Sequence, residues 1–361
     1  MKTIAYYISD YGYGHAARSI AIIRKLLAAD RNLIIIICHS FALPFIKKSL
    51  SSKRVSYREI QTDIGYILKR DSIFPDKDKL LAVYNLFVEN WGDKIQIENK
   101  FLSTKNVNLV ISDISPLPFE AAANLNIPSV GLSNFTWYTA YENLIEETLL
   151  SPLKRAYEHM TYFFSLSGNA ERNWGKQSVY EFFAREINSK EIENLKRNAY
   201  INGKRKHIVF LGIGMKMEQG LLENLPIWDS PDCVFLVSSN IQVAKQNVIS
   251  IPSDYTESQN YIAASDLVIT KAGWGTVSEA VVKQVPLLLI NRESMKEDRN
   301  TIEALQNKHL CETIQWEDFQ TLQLDRGKIS AYRKRTKEKG GAQQNQAVRI
   351  ANDLLAIINK K

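Results

Sequence analysis

A buried strand, a glycine loop and a helix follow one another directly near the start of this 361-residue chain, and the same succession returns in its second half. Near the N-terminus, Thr3–Ile8 predicts the strand and His15–Ala29 predicts a helix with one apolar face, with Gly12 and Gly14 between them. Strands that alternate with helices in this way form parallel sheets with helices on both faces. We therefore predict an α/β fold.

Further apolar runs predict additional strands and helices in each half. The predicted strands are Leu33–Cys38, Asn108–Ile111 and Ser129–Leu132 in the first half, and His207–Leu211, Cys233–Val237, Asp266–Ile269 and Pro286–Ile290 in the second. The other predicted helices are Phe119–Leu125, Glu257–Ala264, Thr276–Lys283 and Glu297–Asn307. This length suits two domains of roughly 150–200 residues each, so we predict two Rossmann-type, doubly wound domains.

The domain boundaries are predicted from the place where the pattern restarts. We expect an N-terminal domain over residues 1–190 and a C-terminal domain over residues 205–340, with the polar stretch Asn188–Lys206 as the linker. Gln343–Ile358 has one apolar face and must pack against another element. We predict that residues 341–361 form a C-terminal helix that can cross back to the first domain.

Composition excludes several classes of protein. Apolar residues make up 45% of the chain and charged residues 24%, as in globular domains. The three cysteines and five histidines show neither a disulfide framework nor zinc-ligand spacing. The chain lacks a signal-peptide pattern and any apolar run of about 18 residues, the length that spans a membrane. We predict a cytoplasmic protein, with peripheral contact at the inner membrane face left open.

The net charge of +7 favours an anionic ligand or an anionic membrane surface, or reflects only a basic surface. The densest basic stretch has no interleaved aromatic residues, so we predict no nucleic-acid partner. That stretch consists of Arg333, Lys334, Arg335, Lys337 and Lys339.

The first glycine loop places a histidine at a helix start. The helix dipole there disfavours the imidazolium, so a neutral His15 is a candidate general base, with Arg18 one turn later on the same face. The alternative is that His15 only caps the helix and Arg18 is solvated. The loop also fits the dinucleotide fingerprint G-x-G-x-x-A, but Cys38-His39-Ser40 stands where a dehydrogenase needs an acidic residue.

The second glycine loop is suited to a nucleoside diphosphate. Helix-start N–H groups of Gly275, Thr276 and Val277 are expected to bind the diphosphate. Glu279 is expected to accept hydrogen bonds from ribose hydroxyls, although Thr276-x-x-Glu279 also fits a capping box that needs no ligand. The other predicted nucleotide contacts are Gly12, Gly14, Gly212, Gly214, Lys271, Gly273 and Trp274.

A polar cluster follows the last predicted strand of the second half. Ligands of open α/β sheets bind at such strand ends, and sugar hydroxyls need polar donors and acceptors of this kind. We predict a donor-sugar site there, with a solvated helix start as the alternative. Its residues are Arg292, Glu297, Arg299 and Asn300.

Together these motifs resemble the glycosyltransferases of GT-B architecture, in which two Rossmann domains face each other across a cleft. The second half is similar to glycosyltransferase family 28, which includes the N-acetylglucosaminyltransferase of peptidoglycan synthesis. Over residues 3–310 the chain also closely resembles the non-kinase N-terminal region of plant L-arabinokinases. That likeness rests on Tyr11–His15, Ser112–Pro116, Ser133–Trp137, Tyr255-Thr256, Ala263–Asp266 and Gly273–Ala280.

The resemblance implies a hexosyl- or N-acetylhexosaminyltransferase that uses a nucleotide sugar, with UDP the expected nucleotide. The donor is expected on the C-terminal domain, with Arg299 and Asn300 near its sugar, where the peptidoglycan enzyme has glutamines. The N-terminal domain is expected to face the acceptor, with His15, Arg18 and Asp113 as the catalytic residues. No cofactor and no metal are predicted, because the single Asp-x-Asp match, Asp76-Lys77-Asp78, lies in a polar stretch.

The acceptor is left open as a small molecule, a glycan or a lipid-linked molecule. Two alternative functions also stay open. A related sugar hydrolase of nonulosonic-acid biosynthesis has a similar Gly-x-Gly-His-x-x-Arg start, so hydrolysis of a nucleotide sugar is one of them. A non-catalytic nucleotide-sugar-binding protein is the other.

Overall fold

A computed structural model of the chain describes residues 1–70, 74–201, 204–213, 220–239, 241–292, 295–308, 311–339, 341 and 343–360. The chain divides into two compact units. The first unit comprises Met1–Leu68, Pro75–Glu181 and Gln346–Lys361, and the second comprises Lys69–Phe74 and Phe182–Asn345.

The first unit is built on a seven-stranded sheet in which every pair of neighbouring strands is parallel, in the order β3-β2-β1-β4-β5-β6-β7. Its strands are β1 Lys2–Ile8, β2 Leu33–His39, β3 Val55–Glu59, β4 Leu109–Asp113, β5 Ser129–Ser133, β6 Tyr162–Leu166 and β7 Lys176–Tyr180. Its helices are α1 Tyr13–Ala29, α2 Leu43–Ser49, α3 Lys77–Val88, α4 Trp91–Thr104, α5 Leu117–Asn124, α6 Trp137–Tyr141, α7 Ser151–Glu158 and α15 Ala347–Asn359.

The core of the first unit follows from its continuous apolar strands. The run LIIIICH forms β2, which is buried along nearly its whole length beside the equally buried β1. Helix α1 buries Ile20, Ile23 and Leu26. The C-terminal helix α15 packs against α1 and buries Ile350 and Leu354, among others. The last helix of the chain is therefore part of the same unit as its first strand.

The second unit has a six-stranded parallel sheet in the order β12-β11-β10-β13-β14-β15 and a two-stranded antiparallel hairpin, β8-β9. Its strands are β8 Tyr200–Ile201, β9 Lys204–Arg205, β10 His207–Gly212, β11 Cys233–Val237, β12 Val248–Ser250, β13 Leu267–Lys271, β14 Leu287–Ile290 and β15 Cys311–Ile314. Its helices are α8 Ser189–Asn198, α9 Gly220–Glu223, α10 Gln259–Ala264, α11 Trp274–Val282, α12 Lys296–Gln306, α13 Trp316–Gln320 and α14 Arg326–Lys339, with a 3-10 turn at Pro226–Asp229.

The predicted α/β class with two doubly wound parallel sheets is confirmed, and the predicted linker is wrong. The stretch predicted as a linker instead forms α8 and the β8-β9 hairpin of the second unit. Asn188 caps α8 by accepting hydrogen bonds from the N–H groups of Lys190 and Glu191, and Ile192 is buried. A helix that is polar on all but one narrow side lacks the broad apolar face on which the prediction relied.

Each sheet reverses its winding direction once, between β1 and β4 in the first unit and between β10 and β13 in the second. In open parallel sheets, ligands bind outside the carboxyl ends of the strands at this switch point. The two glycine loops follow β1 and β13, so each lies at the switch point of its own sheet.

Candidate functional site

The loop after β1 has an open backbone at the start of α1. Gly12 is the N-cap residue, with φ +80°, a conformation that favours glycine. A Cβ atom added to Gly12 or Gly14 would meet no atom within 4 Å, so a ligand has room to approach the backbone. His15 is the third residue of the helix, which begins at Tyr13, two residues before the predicted start at His15.

His15, Arg18 and Asp113 form one buried cluster, although Asp113 is far from the other two in sequence. His15 Nδ1 lies 3.0 Å from Asp113 Oδ1. Arg18 donates to both carboxylate oxygens of Asp113, with a distance of 2.7 Å from Nε to Oδ2. The structure thus brings the three predicted catalytic residues together at the switch point of the first sheet.

Arg18 is engaged inside the protein and is not a solvated residue. Its Nη1 donates to Asn134 Oδ1 and its Nη2 to Ser133 Oγ, each at 3.0 Å, and its side chain is 4% exposed. The alternative of a solvated Arg18 is therefore wrong. The hydrogen bonds to Asn134 and Ser133 fix the position of the Arg18 guanidinium. The fixed guanidinium in turn holds the Asp113 carboxylate in place.

The electrostatics of the cluster favour an ionised Asp113. Burial alone would raise the pKa of this carboxyl, but the charges and hydrogen bonds of Arg18 and His15 lower it to about 2. Nδ1 of His15 also lies 3.1 Å from Arg18 Nη2. A lone pair on Nδ1 would face the ionised carboxylate, so we assign a proton to Nδ1. Whenever the ring is neutral, Nε2 is then its basic nitrogen.

The backbone after Asp113 is strained. Ile114 has φ +59°, a conformation that is rare for a β-branched residue. Its carbonyl accepts a 2.6 Å hydrogen bond from Tyr157 Oη, and Ser112 Oγ donates to the carbonyl of Ser115 at 2.8 Å. Strain of this kind is retained where surrounding contacts hold it, and here it fixes the turn that carries Asp113.

The second glycine loop also leads into a helix start with no side-chain cap. Gly273 is the N-cap of α11, and the first turn of the helix contains no acidic residue. Gly275 and Thr276 stand in the first turn, where N–H groups have no acceptor within the helix. The N–H of Val277 instead donates to the Gly273 carbonyl at 3.1 Å, so its predicted role as a diphosphate donor is wrong.

Other predicted nucleotide residues lie around this loop. Thr270 Oγ1 donates to the Gly212 carbonyl at 2.6 Å, which joins the ends of β13 and β10. Lys271 is half-buried, and its Cε would lie 3.5 Å from a Cβ added to Gly273. The ring of Trp274 is buried, with Phe182 and Phe183 beside it, so this side chain is part of the core. Gly214 lies outside the described residues.

Glu279 has a partner that the sequence did not indicate. Arg185 Nε donates to Glu279 Oε1 at 2.9 Å, and the Arg185 side chain is completely buried. Arg185 also donates to the Thr256 carbonyl and to Ser258 Oγ. The capping-box alternative is excluded, because α11 begins at Trp274 and Thr276 is already inside it.

The predicted donor-sugar residues fall into two groups. Arg292 makes a bidentate pair with Asp298, at 2.6 and 2.8 Å, and both side chains are buried. Glu297 is also buried, whereas Arg299 is exposed and Asn300 is half-buried. The structure therefore ties Arg292 to α12 through Asp298.

The Asp-x-Asp match is a helix start, since Asp76 caps α3 by accepting a hydrogen bond from the Lys79 N–H at 3.1 Å. Within the described ranges, no group of three or more His, Cys, Asp or Glu side chains is placed to hold a metal ion. Independence from metals stays a prediction.

Within the described residues, no helix has both the length and the apolar character needed to cross a membrane.

Comparison with known proteins found similarity to a glycosyltransferase family and to a plant kinase. Residues 237–354 match the glycosyltransferase family 28 C-terminal domain. L-arabinokinase from Arabidopsis thaliana is 26% identical over 318 residues, which cover 84% of this chain but only 30% of that protein. The chain thus spans about a third of the length of this relative.

Solved structures of glycosyltransferases share the fold over nearly the whole chain. The glycosyltransferase SnogD from Streptomyces nogalater has a TM-score of 0.60 at 13% identity and covers 99% of this chain and 100% of its own. UGT89C1 from Arabidopsis thaliana, solved with UDP, has a TM-score of 0.63 at 9% identity and covers 99% of both chains. The chain therefore has the GT-B fold, and its residues 237–354 are similar to the C-terminal domain of family 28 glycosyltransferases.

Proposed function

We propose that the protein transfers a sugar from a UDP-sugar to a hydroxyl group of an acceptor, without a metal ion, and that His15 is the general base. The observation that carries this proposal is the buried cluster of His15, Asp113 and Arg18 at a switch point. A histidine oriented by a carboxylate is an arrangement that activates hydroxyl groups in other enzymes.

In the proposed reaction, Nε2 of His15 takes the proton from the acceptor hydroxyl as its oxygen attacks the anomeric carbon of the sugar. The bond between that carbon and the diphosphate oxygen breaks, and UDP leaves with the electron pair. Asp113 keeps the ring oriented and stabilises the imidazolium that forms. Arg18 holds Asp113 in position and keeps it ionised, which agrees with the lowered pKa of that carboxyl.

On the donor side, the first turn of α11 supplies N–H groups and the positive end of the helix dipole to the diphosphate. Lys271 would add a positive charge as negative charge develops on the leaving group. Glu279 would accept hydrogen bonds from the ribose hydroxyls with the oxygen that does not bind Arg185. The pairing with Arg185 also offsets the repulsion between this carboxylate and the nearby diphosphate.

The ribose role of Glu279 predicts that the wild-type protein binds UDP more tightly than 2′,3′-dideoxy-UDP by about 1–3 kcal/mol, the value of a charge-assisted hydrogen bond. Glu279→Gln is expected to remove this difference, as measured by titration calorimetry. The variant also leaves Arg185 buried without its charge partner, so its unfolding free energy should fall by about 3–5 kcal/mol.

The ratio of the affinities for UDP and 2′,3′-dideoxy-UDP shows whether Glu279 binds the ribose or only pairs with Arg185. A change in the stability of the protein alone does not alter this ratio. If the wild-type protein binds both nucleotides equally, Glu279 serves only as the structural partner of Arg185.

The second prediction on the donor side concerns metal ions. UDP is expected to bind with the same affinity in EDTA as in Mg²⁺ or Mn²⁺, because helix-start N–H groups and Lys271 take the place of a cation. A thermal-shift screen should show UDP raising stability by about 2.7 kcal/mol at one hundred times its dissociation constant. Binding that requires a divalent cation would contradict this account of the donor site.

Hydrolysis of the nucleotide sugar is the second candidate, because the His15–Asp113 pair could activate water as well as an acceptor hydroxyl. Incubation with a UDP-sugar alone separates the two: a hydrolase releases free sugar, whereas a transferase needs an acceptor. Binding without turnover would indicate a non-catalytic nucleotide-sugar-binding protein.

The acceptor is proposed to be a small molecule, a glycan or a lipid-linked molecule. We place the reaction in the cytoplasm and include peripheral contact at the inner membrane face in this proposal.

A further inference from the structure

The positive charge of this protein is concentrated in two short segments. Residues 204–206 and 325–339 contain ten lysine and arginine residues and two acidic residues, a net charge of +8, compared with +7 for the whole chain. The rest of the molecule is therefore close to neutral. The second segment is mostly helix α14, and the first includes strand β9.

The structure brings the two segments together on the second unit. Arg205 and Arg333 both contact Asp266 Oδ1, at 3.6 and 2.7 Å. His207 lies beside them, with Nδ1 3.7 Å from Asp266 Oδ2. Burial lowers the pKa of His207, and although Asp266 opposes this, the positive charges of Arg326, Arg333 and Arg205 lower it further. Residues separated by more than one hundred positions thus form one basic surface.

The acidic residues on this surface are too few to neutralise it. Asp266 is shared by two arginines, Lys206 contacts Asp232 at 3.7 Å, and Arg335 pairs with Glu312. Within α14, Lys334 lies 3.8 Å from Glu338, and both are exposed to solvent, where such pairs contribute little. The other exposed basic residues are Lys204, Arg326, Lys328 and Lys337.

This basic surface lies away from the nucleotide loop of the same unit. His207 begins β10 and Asp266 immediately precedes β13, so the surface is at the amino ends of these strands. Gly212 and Gly273 stand at or beyond their carboxyl ends, about 15 Å away for a five-residue strand at 3.3 Å per residue. An occupant of the basic surface would leave the predicted diphosphate site open.

An exposed tyrosine adds a second kind of contact. Tyr200 is 58% exposed and pairs with Arg205 across the β8-β9 hairpin. Tyrosine beside basic residues is typical of the membrane–water interface, because its ring enters the headgroup region while its hydroxyl stays hydrated. Binding of single-stranded nucleic acid relies instead on several stacked aromatic side chains along a basic groove.

We propose that the surface formed by residues 204–206, α14 and Tyr200 docks the protein onto an anionic lipid membrane. Each lysine or arginine near such a membrane raises the partition coefficient about fivefold, and screening by salt weakens the attraction. The docking rests on the membrane contact in the proposed function and assigns a surface to it. It does not require the transfer reaction, so failure of the docking and failure of the transfer are distinguishable.

Vesicle co-sedimentation tests this proposal with full-length protein. Wild-type protein should sediment with vesicles that contain phosphatidylserine, remain in solution with pure phosphatidylcholine, and be released by high salt. The triple variant Lys328→Glu, Lys334→Glu and Lys337→Glu should lose about 100-fold or more in partition coefficient, because three attractive charges become repulsive. A circular dichroism spectrum and a thermal unfolding midpoint close to those of the wild type report that the variant is folded.

The matched control is Lys47→Glu, Lys48→Glu and Lys53→Glu in the first unit, which changes the net charge by the same amount at exposed positions. It should retain most of the wild-type binding. Equal losses in both variants would show that only the net charge matters and would overturn the assignment of the surface. The proposal would also be wrong if wild-type protein ignored anionic vesicles, or if RNA displaced it from them.

Discussion

His15→Ala is expected to lower kcat by about 10²- to 10⁴-fold, the usual loss when a general base is removed. Nucleotide affinity should be nearly unchanged, because the first turn of α11 and Glu279 belong to the second unit and His15 to the first. Steady-state kinetics and calorimetry with UDP on the same preparation measure the two quantities. His159→Ala is a matched control, since this histidine is exposed on the same unit.

Three outcomes for His15→Ala have different consequences. A loss of nucleotide affinity together with rate would mean that His15 contacts the diphosphate. A loss of stability with normal activity in the folded fraction would make it a structural residue, and would favour the nucleotide-sugar-binding alternative. Only a selective loss of kcat agrees with the role of base.

Asp113→Asn is expected to affect both rate and stability. Turnover should fall by about 10²- to 10⁴-fold, because the amide no longer fixes the Nδ1–H tautomer of His15 or stabilises the imidazolium. Replacing the carboxylate also leaves the buried guanidinium of Arg18 without its charge partner, which should lower the free energy of unfolding by about 3–5 kcal/mol. Kinetics and urea denaturation at neutral pH measure these two effects.

The pH dependence of stability provides a further check on Asp113. Its pKa in the folded protein is about 2, below the value of about 3.9 for an unfolded aspartate. The stabilisation that ionised Asp113 contributes to the folded state is therefore complete above pH ~4 and is lost as the pH falls towards ~2. The free energy of unfolding should fall by about 2–3 kcal/mol over this range. The Asn variant should lack this loss, whereas Asp93→Asn, at an exposed position, should retain it. Parallel curves for wild type and Asp113→Asn would contradict the charge pairing.

The central strands of both sheets could be predicted from sequence because they are continuous apolar runs. Strand β12 at the edge of the second sheet is short, and β7 at the edge of the first has exposed residues at most positions. Such strands do not carry the buried pattern on which the prediction relied. Helix α8 was missed for a related reason, since its only buried side chain is Ile192.

In the candidate site, the sequence predicted the features that are local in the chain and missed the contacts between distant residues. The glycine loops and His15 were visible because strand, loop and helix are contiguous in sequence. The pairs that give the site its electrostatics join residues about 95 positions apart, Asp113 with Arg18 and Glu279 with Arg185. No spacing rule links such residues. Asp113 was indicated only through the resemblance to a known family, and Arg185 was not indicated at all.

The start of α11 illustrates how a small shift changes a site. The sequence analysis placed the helix start at Thr276, directly after the loop Gly273-Trp274-Gly275. In the structure the helix begins at Trp274, two residues earlier, and Gly275 lies inside it. The first-turn N–H groups are therefore shifted towards Trp274, and Val277 is excluded from the anion site.

The most direct test of the proposed function is a transfer assay with isotope-labelled UDP-sugars and an extract of small molecules and lipids as the acceptor source. Mass spectrometry should show UDP released in EDTA and the labelled sugar joined to one acceptor class, with both products lost in His15→Ala. Release of labelled free sugar without acceptor would identify a hydrolase. The absence of UDP release from every donor would contradict the assignment of a UDP-sugar-dependent transferase.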